Sequence, residues 1–387
     1  MNLAIRGAAP PDHRMGGSGR VASLQLLRFV AATMVVFHHS ITLARGYSGS
    51  GGVLDSGRLF DFGGIGVDIF FVISGFVITL SGPLARRRPT AAEFYLRRWA
   101  RVAPLFYILT IPILLTWQFR TPVSPWGAGR PITLPQMVAT ICFWPSAGAL
   151  NVPPAMSDAW TLCFEMFFYS VMAVVLIGGR VRLMVGAVLV SVVVLTVLRS
   201  RLDIPALQFM NNKISLEFCI GVGLAVFRRE IESLGPGRGL LLTAVGAACL
   251  LLWGFGFGPG VAGYDQVMAD QGVLGRVLLI GLPAGLIVAG VVAADAGIQR
   301  RRELFDRLGD ASYAIFLSHG FTLIALYITL RALGAILPPS AITLGAVAVS
   351  LCLGYWAYYL VDRPIMAYFR TRIPKVVTQP PRLVPID

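Results

Sequence analysis

The sequence predicts an all-α fold, a polytopic membrane helical bundle of about ten transmembrane helices with both termini cytoplasmic. Three observations predict it. Of 387 residues, 56% are hydrophobic and 13% charged, whereas a soluble domain carries about 25% charged residues to keep its surface solvated. Apolar runs of about 20 residues recur along the chain, each long enough to cross a hydrocarbon core of about 30 Å. A mean hydropathy of +0.72 coexists with a net charge of +14, from 33 basic against 19 acidic residues. Most of that basic excess falls in alternate loops, the pattern of cytoplasmic segments. A soluble enzyme is excluded, and no nucleic-acid-binding motif accompanies the positive charge.

Residues 1–20 are polar and rich in Gly, Pro and Arg, and read as a disordered cytoplasmic tail. Residues 21–370 form one membrane domain, without an internal repeat or a composition break, and 371–387 a cytoplasmic C-terminal tail. The first apolar run, 24–43, is too long for a signal-peptide core, and no small-residue cleavage site follows it. It reads as a retained helix. Further spans are expected near 62–82, 102–119, 159–177, 183–198, 212–227, 239–257, 277–294, 312–333 and 342–361. The stretch 132–150 is apolar but interrupted by Pro135 and Pro145, and reads as re-entrant or interfacial. The five cysteines (Cys142, Cys163, Cys219, Cys249, Cys352) form no CxxC pair, so neither a disulfide framework nor a zinc site is expected.

Ionisable side chains inside the hydrocarbon are costly, and each is a functional candidate. In the first helix Arg28 and His39 are 11 residues apart, about 20° apart in azimuth and about 16 Å apart along the axis. They share one face, whereas His38 points about 80° away. Two costly residues on one stripe suggest a polar tunnel. Asp68 and Ser74 fall in the second span, Glu165 in the fourth and Glu217 in the sixth. With the N-terminus inside, Asp68, Glu165 and Glu217 lie near the outer ends of their helices, at the level of His39. A carboxylate beside an imidazole fixes its tautomer and raises its basicity. Glu217 has a structural alternative in pairing with Lys213, and Ser74 reads as a packing or backbone-bonding residue. Arg86, Arg87 and Arg88 are explained as topology signals. Arg98 and Arg101, at the start of a helix, fit either that bias or a clamp for phosphates. His319, two turns into the ninth span, fits a buried histidine bonded to a neighbouring helix. HExxH, GxSxG, P-loop and metal-ligand spacings are all missing.

Six ordered stretches, LRFVAATMVVFHH, GVDIFFVISGF, FYLRRWARVAPLFY, AWTLCFEMFFY, LGDASYAIFLSH and YYLVDRP, resemble the acyltransferase 3 family of integral-membrane acyltransferases, and within it the exopolysaccharide O-acetyltransferase branch. The resemblance covers about residues 22–370. It places the family's Arg and His, separated by ten residues, on Arg28 and His39, its Arg-x-x-Arg on Arg98 and Arg101, and its acidic position on Glu165. Its Tyr-Leu-x-His ending falls on His319, with Phe316 in place of the Tyr.

The resemblance implies transfer of an acyl group, usually acetyl from cytoplasmic acetyl-CoA, to a hydroxyl of a surface or exported polysaccharide. The implied setting is the bacterial inner membrane, without a metal, beside the exopolysaccharide biosynthesis machinery. On this reading His39, Asp68 and Glu165 are the catalytic candidates, and Arg28, Arg98 and Arg101 hold the acyl-CoA. His39 either deprotonates the acceptor or carries the acyl group as acyl-imidazole, with Asp68 or Glu165 orienting it. Rival acceptors are a macrolide, a lipid or peptidoglycan, and succinyl is a rival donor. A transporter or flippase is the reading of a different class; paired repeats with broken helices would mark one. The long outer loop, 120–158, is expected to influence acceptor choice.

Overall fold

The computed structural model describes residues 21–56, 58–85, 88–117, 134–144, 159–178, short pieces between 185 and 196, 212–295 and 302–373. The described residues form helices and connecting turns, with no strand among them. We label the main helices α1 (Ala22–Ser48), α2 (Leu59–Ser81), α3 (Ala91–Trp117), α4 (Leu134–Ile141), α5 (Ala159–Ile177) and α6 (Ser215–Val226). They continue as α7 (Gly235–Gly254), α8 (Val273–Ala294), α9 (Arg302–Leu333) and α10 (Pro339–Arg372).

Seven of these, α1, α2, α5, α7, α8, α9 and α10, are long and apolar enough to cross a membrane. The fold is an all-α polytopic membrane bundle. α3 has 27 residues but opens on Glu93, Arg97, Arg98 and Arg101, and contains Pro104 and Pro112. α6 is apolar but has 12 residues, too few to span about 30 Å at 1.5 Å per residue. The span expected at 183–198 lies largely outside the described residues, as do both tails except 371–373. Of the stretch 132–150, the described part is α4 and the turn that follows it, through Trp144.

α1 is the central helix, packed on α2, α9 and α10, while α2 also packs on α6, and α7 on α8. Small residues bring these helices together, as they do where lipid supplies no hydrophobic drive between spans. A Cβ on Gly63 would stand 2.7 Å from the Met34 carbonyl of α1. Across the α2–α6 crossing, Gly75 and Gly221 each lie against the other helix's backbone, at the Phe218 and Val72 carbonyls. The same crossing stacks Phe168 of α5 on Phe218, with ring centres 4.1 Å apart. Lipid-facing positions are apolar too: on α10, Leu344, Leu353, Trp356 and Leu360 are each at least half exposed.

Polar contacts fix the ends. The Ser23 amide donates to Asp295 at 2.8 Å, placing a carboxylate on the unsatisfied amides that open α1. Arg45, in the last turn of α1, holds Asp55 of the 3₁₀ turn Gly52–Asp55 through its Nε at 2.6 Å and a second contact. Two helices contain a wide turn of the π type, Val277–Gly281 in α8 and Tyr358–Asp362 in α10.

Candidate active site

A cavity of about 950 Å³ lies among α1, α2, α3, α5 and α9. On α2 the lining runs from Val67 to Ser81, with Val67, Phe70, Ser74, Val77 and Ser81 marking one row of that wall. From Ser81 to Val67 that wall is about 21 Å long at 1.5 Å per residue.

The end of the cavity at Ser81 is basic. Arg28, Arg98 and Arg101, expected from the sequence to act together, all line it, and Arg228 and Arg229 join them. Arg98 donates to Ser81 and lies over the rings of Phe94 and Tyr169, at 5.6 and 5.7 Å. Arg101 donates to Asp362 at 2.7 Å and to the Asp310 carbonyl at 3.2 Å, with its guanidinium over Tyr313. Arg28 lies in the field of Glu165 and Asp310, with Arg101 as a like-charged neighbour. Arg228 pairs with Glu232 at 2.6 Å. Arg228 and Arg229 were not singled out from the sequence, because nothing local to them shows that they face a cavity built by distant helices.

Glu165 stands in the cavity wall, accepting from the Ser74 hydroxyl at 2.6 Å and the Tyr169 hydroxyl at 3.4 Å. Ser74 therefore makes a side-chain bond to α5 rather than the packing or backbone contact expected of it. Asp68 is fully buried, and Arg276 grips it with two N–H···O bonds, Nε to Oδ1 at 2.7 Å and Nη2 to Oδ2 at 2.6 Å. This is a bidentate fork between α2 and α8. Glu217 is buried beside that fork, its carboxylate against Gly281. The alternative pairing with Lys213 is not formed: Lys213 precedes α6 and bonds Asp270 through both its amide and its ammonium.

His39 is half-buried on α1, one helical face along from Arg28, and its ring centre is 5.0 Å from that of His319 on α9. The neighbour expected for it from the sequence was Asp68 or Glu165. The structure instead directs those carboxylates to Arg276 and to Ser74 and Tyr169, and places an imidazole beside His39. His319 is fully buried, with Nδ1 2.5 Å from the Phe316 carbonyl. A carbonyl accepts only, so the Nδ1 nitrogen bears the hydrogen of this contact. His38 is held apart by the Phe60 carbonyl at 2.8 Å. Among the described residues no group of three or more His, Cys, Asp or Glu is placed to hold a metal.

The family model described as an acyltransferase domain matches residues 21–359, and the chain belongs to that family, acyltransferase 3. Among individual relatives, it is similar to the exopolysaccharide production protein ExoZ of Rhizobium meliloti (strain 1021), 30% identical over 82% of this chain and 94% of the relative. It is similar also to the acyltransferase MdmB of Streptomyces mycarofaciens, at 23% identity over 82% of this chain and 84% of that protein. Nodulation protein 10 of Rhizobium leguminosarum bv. viciae is 26% identical over 78% and 83%. No solved structure matches the chain.

Proposed function

We propose that this protein moves an acetyl group from cytoplasmic acetyl-CoA to a hydroxyl of an exported or surface polysaccharide, in the bacterial inner membrane with both termini in the cytoplasm. The observation that supports it is the run of one cavity from Arg98 and Arg101, past Arg28, to within one helical turn of the His39–His319 pair. The similarity to ExoZ supports the polysaccharide acceptor. The basic excess on the side of Arg98 and Arg228 supports the orientation.

Arg98, Arg101 and Arg28 hold the phosphates of the donor, since guanidinium forks match phosphate oxygens. The Ser74–Glu165–Tyr169 group offers acceptors and donors part-way along the cavity, where the amides of the pantetheine arm would pass. The axial offset of about 16 Å between Arg28 and His39 suits the length of that arm. Beyond the end of the cavity opposite the arginines, His39 takes the proton of the acceptor hydroxyl, and the oxygen attacks the thioester carbonyl. The C–S bond then breaks, and the CoA thiolate leaves and takes up the proton. His319, with its ring centre 5.0 Å away, holds the neighbouring imidazole in place.

The test uses purified protein in detergent, radiolabelled acetyl-CoA and polysaccharide from cells lacking the gene. Label enters the polysaccharide with the wild-type protein and not with His39→Ala. Retention of all label in CoA with folded wild-type protein, across polysaccharide, lipid and peptidoglycan acceptors, would refute the reading.

A further inference from the structure

We infer that Phe70 and Phe316 form the constriction that selects the acyl group, a predominantly hydrocarbon pass between the donor cavity and the histidine pair. The inference rests on the donor reading above. It admits a short neutral acyl chain and turns away a long or carboxylated one.

Two helices, α2 and α9, place the constriction at the same level. On α9 the cavity-lining residues are Asp310, Tyr313 and Phe316, and His319 follows Phe316 by three residues, about 4.5 Å further along the axis. On α2 the lining ends at Phe70 and Val67, and on α1 at Arg28, with His39 beyond. Phe70 and Phe316 meet at this level edge to face, ring centres 5.8 Å apart and planes inclined at 63°, the arrangement aromatic pairs favour. The other side of the Phe316 ring is turned to His319, at 6.0 Å between centres. Phe316 therefore lines the donor cavity and faces the His319 ring at once, and is 7% exposed.

The surroundings are apolar. Ala32, Val35, Val36, Ala311 and Ile315 bury with Phe316, and Val67 and Phe70 pack on that cluster. The nearest polar lining residues on these helices, Ser74 and Tyr313, stand one turn back, on the donor side. A thioester passing the rings meets a predominantly hydrocarbon surface, with the Tyr358 ring also packed on the cluster. A terminal carboxylate would be stripped of water there without a donor to replace it, and each added methylene must displace a packed ring.

The test measures initial rates of transfer from acetyl-, butyryl- and succinyl-CoA to polysaccharide from the deletion strain, at equal subsaturating donor. Wild-type protein is expected to favour acetyl over butyryl and to use succinyl least. Phe316→Ala and Phe70→Ala should each raise the butyryl-to-acetyl ratio at least about tenfold, the discrimination a pocket obtains from a methylene or two, while succinyl stays poor because the pass remains apolar. Phe316→Leu and Phe70→Leu, which keep the packing, provide the same comparison in smaller measure if the alanine variants do not fold. Unchanged ratios in folded variants that still transfer acetyl overturn the constriction and leave the donor reading standing. Absence of transfer from all three donors by wild-type protein overturns both.

Discussion

Arg101 Nη1 donates to Asp362 Oδ2 at 2.7 Å, tying the start of α3 to the wide turn of α10. The two residues are 261 positions apart and stand in two of the stretches that carry the family resemblance, FYLRRWARVAPLFY and YYLVDRP. Asp362 is 2% exposed, so removing its partner strands a buried carboxylate. Arg98 has no such tie, donating to a serine hydroxyl. The two arginines of one motif should therefore fail differently. Arg101→Ala is expected to lower thermal stability in detergent, by about 3–5 kcal/mol for an orphaned buried charge, as well as weaken acetyl-CoA binding. Arg98→Ala should raise KM for acetyl-CoA about tenfold or more, the worth of a charge-assisted bond, with an unchanged melting temperature. Equal melting temperatures for both variants would contradict the assignment.

The exposed pair Arg228 and Arg229 acts at the mouth of the cavity, where salt screens it. Replacing both with Gln should raise KM for acetyl-CoA by a smaller factor than Arg98→Ala, and the difference from wild type should shrink as ionic strength rises through about 0.15 M, where the Debye length is about 8 Å. A salt-independent difference would place their role elsewhere.

His39→Ala should lower kcat by at least about 10²-fold, the usual worth of a general base, while acetyl-CoA binding measured by calorimetry is retained. His319→Ala should cost less than His39→Ala and more than His38→Ala, because His319 touches the His39 ring and His38 is held by the Phe60 carbonyl. Equal losses from His38→Ala and His39→Ala would refute the distinction between them.

Asp68 and Arg276 form a buried fork, so single replacements should destabilise and the double replacement should be milder. Asp68→Asn is expected to cost about 3–5 kcal/mol, and Asp68→Leu with Arg276→Leu considerably less. Thermal melting in detergent measures both. If Asp68 instead oriented His39, activity per folded molecule would fall in the double variant even where stability returned.

The Arg45 guanidinium holds the Asp55 carboxyl below the usual carboxylate range, chiefly through their hydrogen bond, while burial opposes the shift. A carboxylate with a lowered folded value stabilises the protein above its unfolded value of about 3.9 and loses that contribution as pH falls through the folded one. The melting temperature should be insensitive to this pair between about pH 5 and 7, then decline below about pH 4. Asp55→Asn should remove that part of the decline. A variant with the same acid profile as wild type would show that the pair contributes nothing there.

The relation of Arg28 to His39 was legible because it lies within one helix, whose periodicity alone fixes azimuth and rise. The relations between helices were not. The sequence suggests that Asp68 and Glu165 share the level of His39, but which neighbour each carboxylate meets depends on how α2 packs on α8 and α5, and on Arg276, 208 residues from Asp68. His319 meets His39 because α9 packs on α1. The spacing of Lys213 and Glu217 invited a helical i,i+4 pair, which needs both residues on the helix; α6 begins at Ser215. The family resemblance supplied Arg98 and Arg101, whose spacing alone fits a topology signal equally well.

The wide turn Tyr358–Asp362 holds one more residue than an α-helical turn would. Deleting a residue there, or anywhere between it and the start of α10, shifts phase by about 100°. Unless the wide turn closes to absorb the loss, either Asp362 swings off Arg101 or the lipid-facing stretch rotates its leucines inward. α10 can therefore exchange one apolar side chain for another on its lipid face more readily than it can change length, and its reading frame of faces is constrained more tightly than its composition.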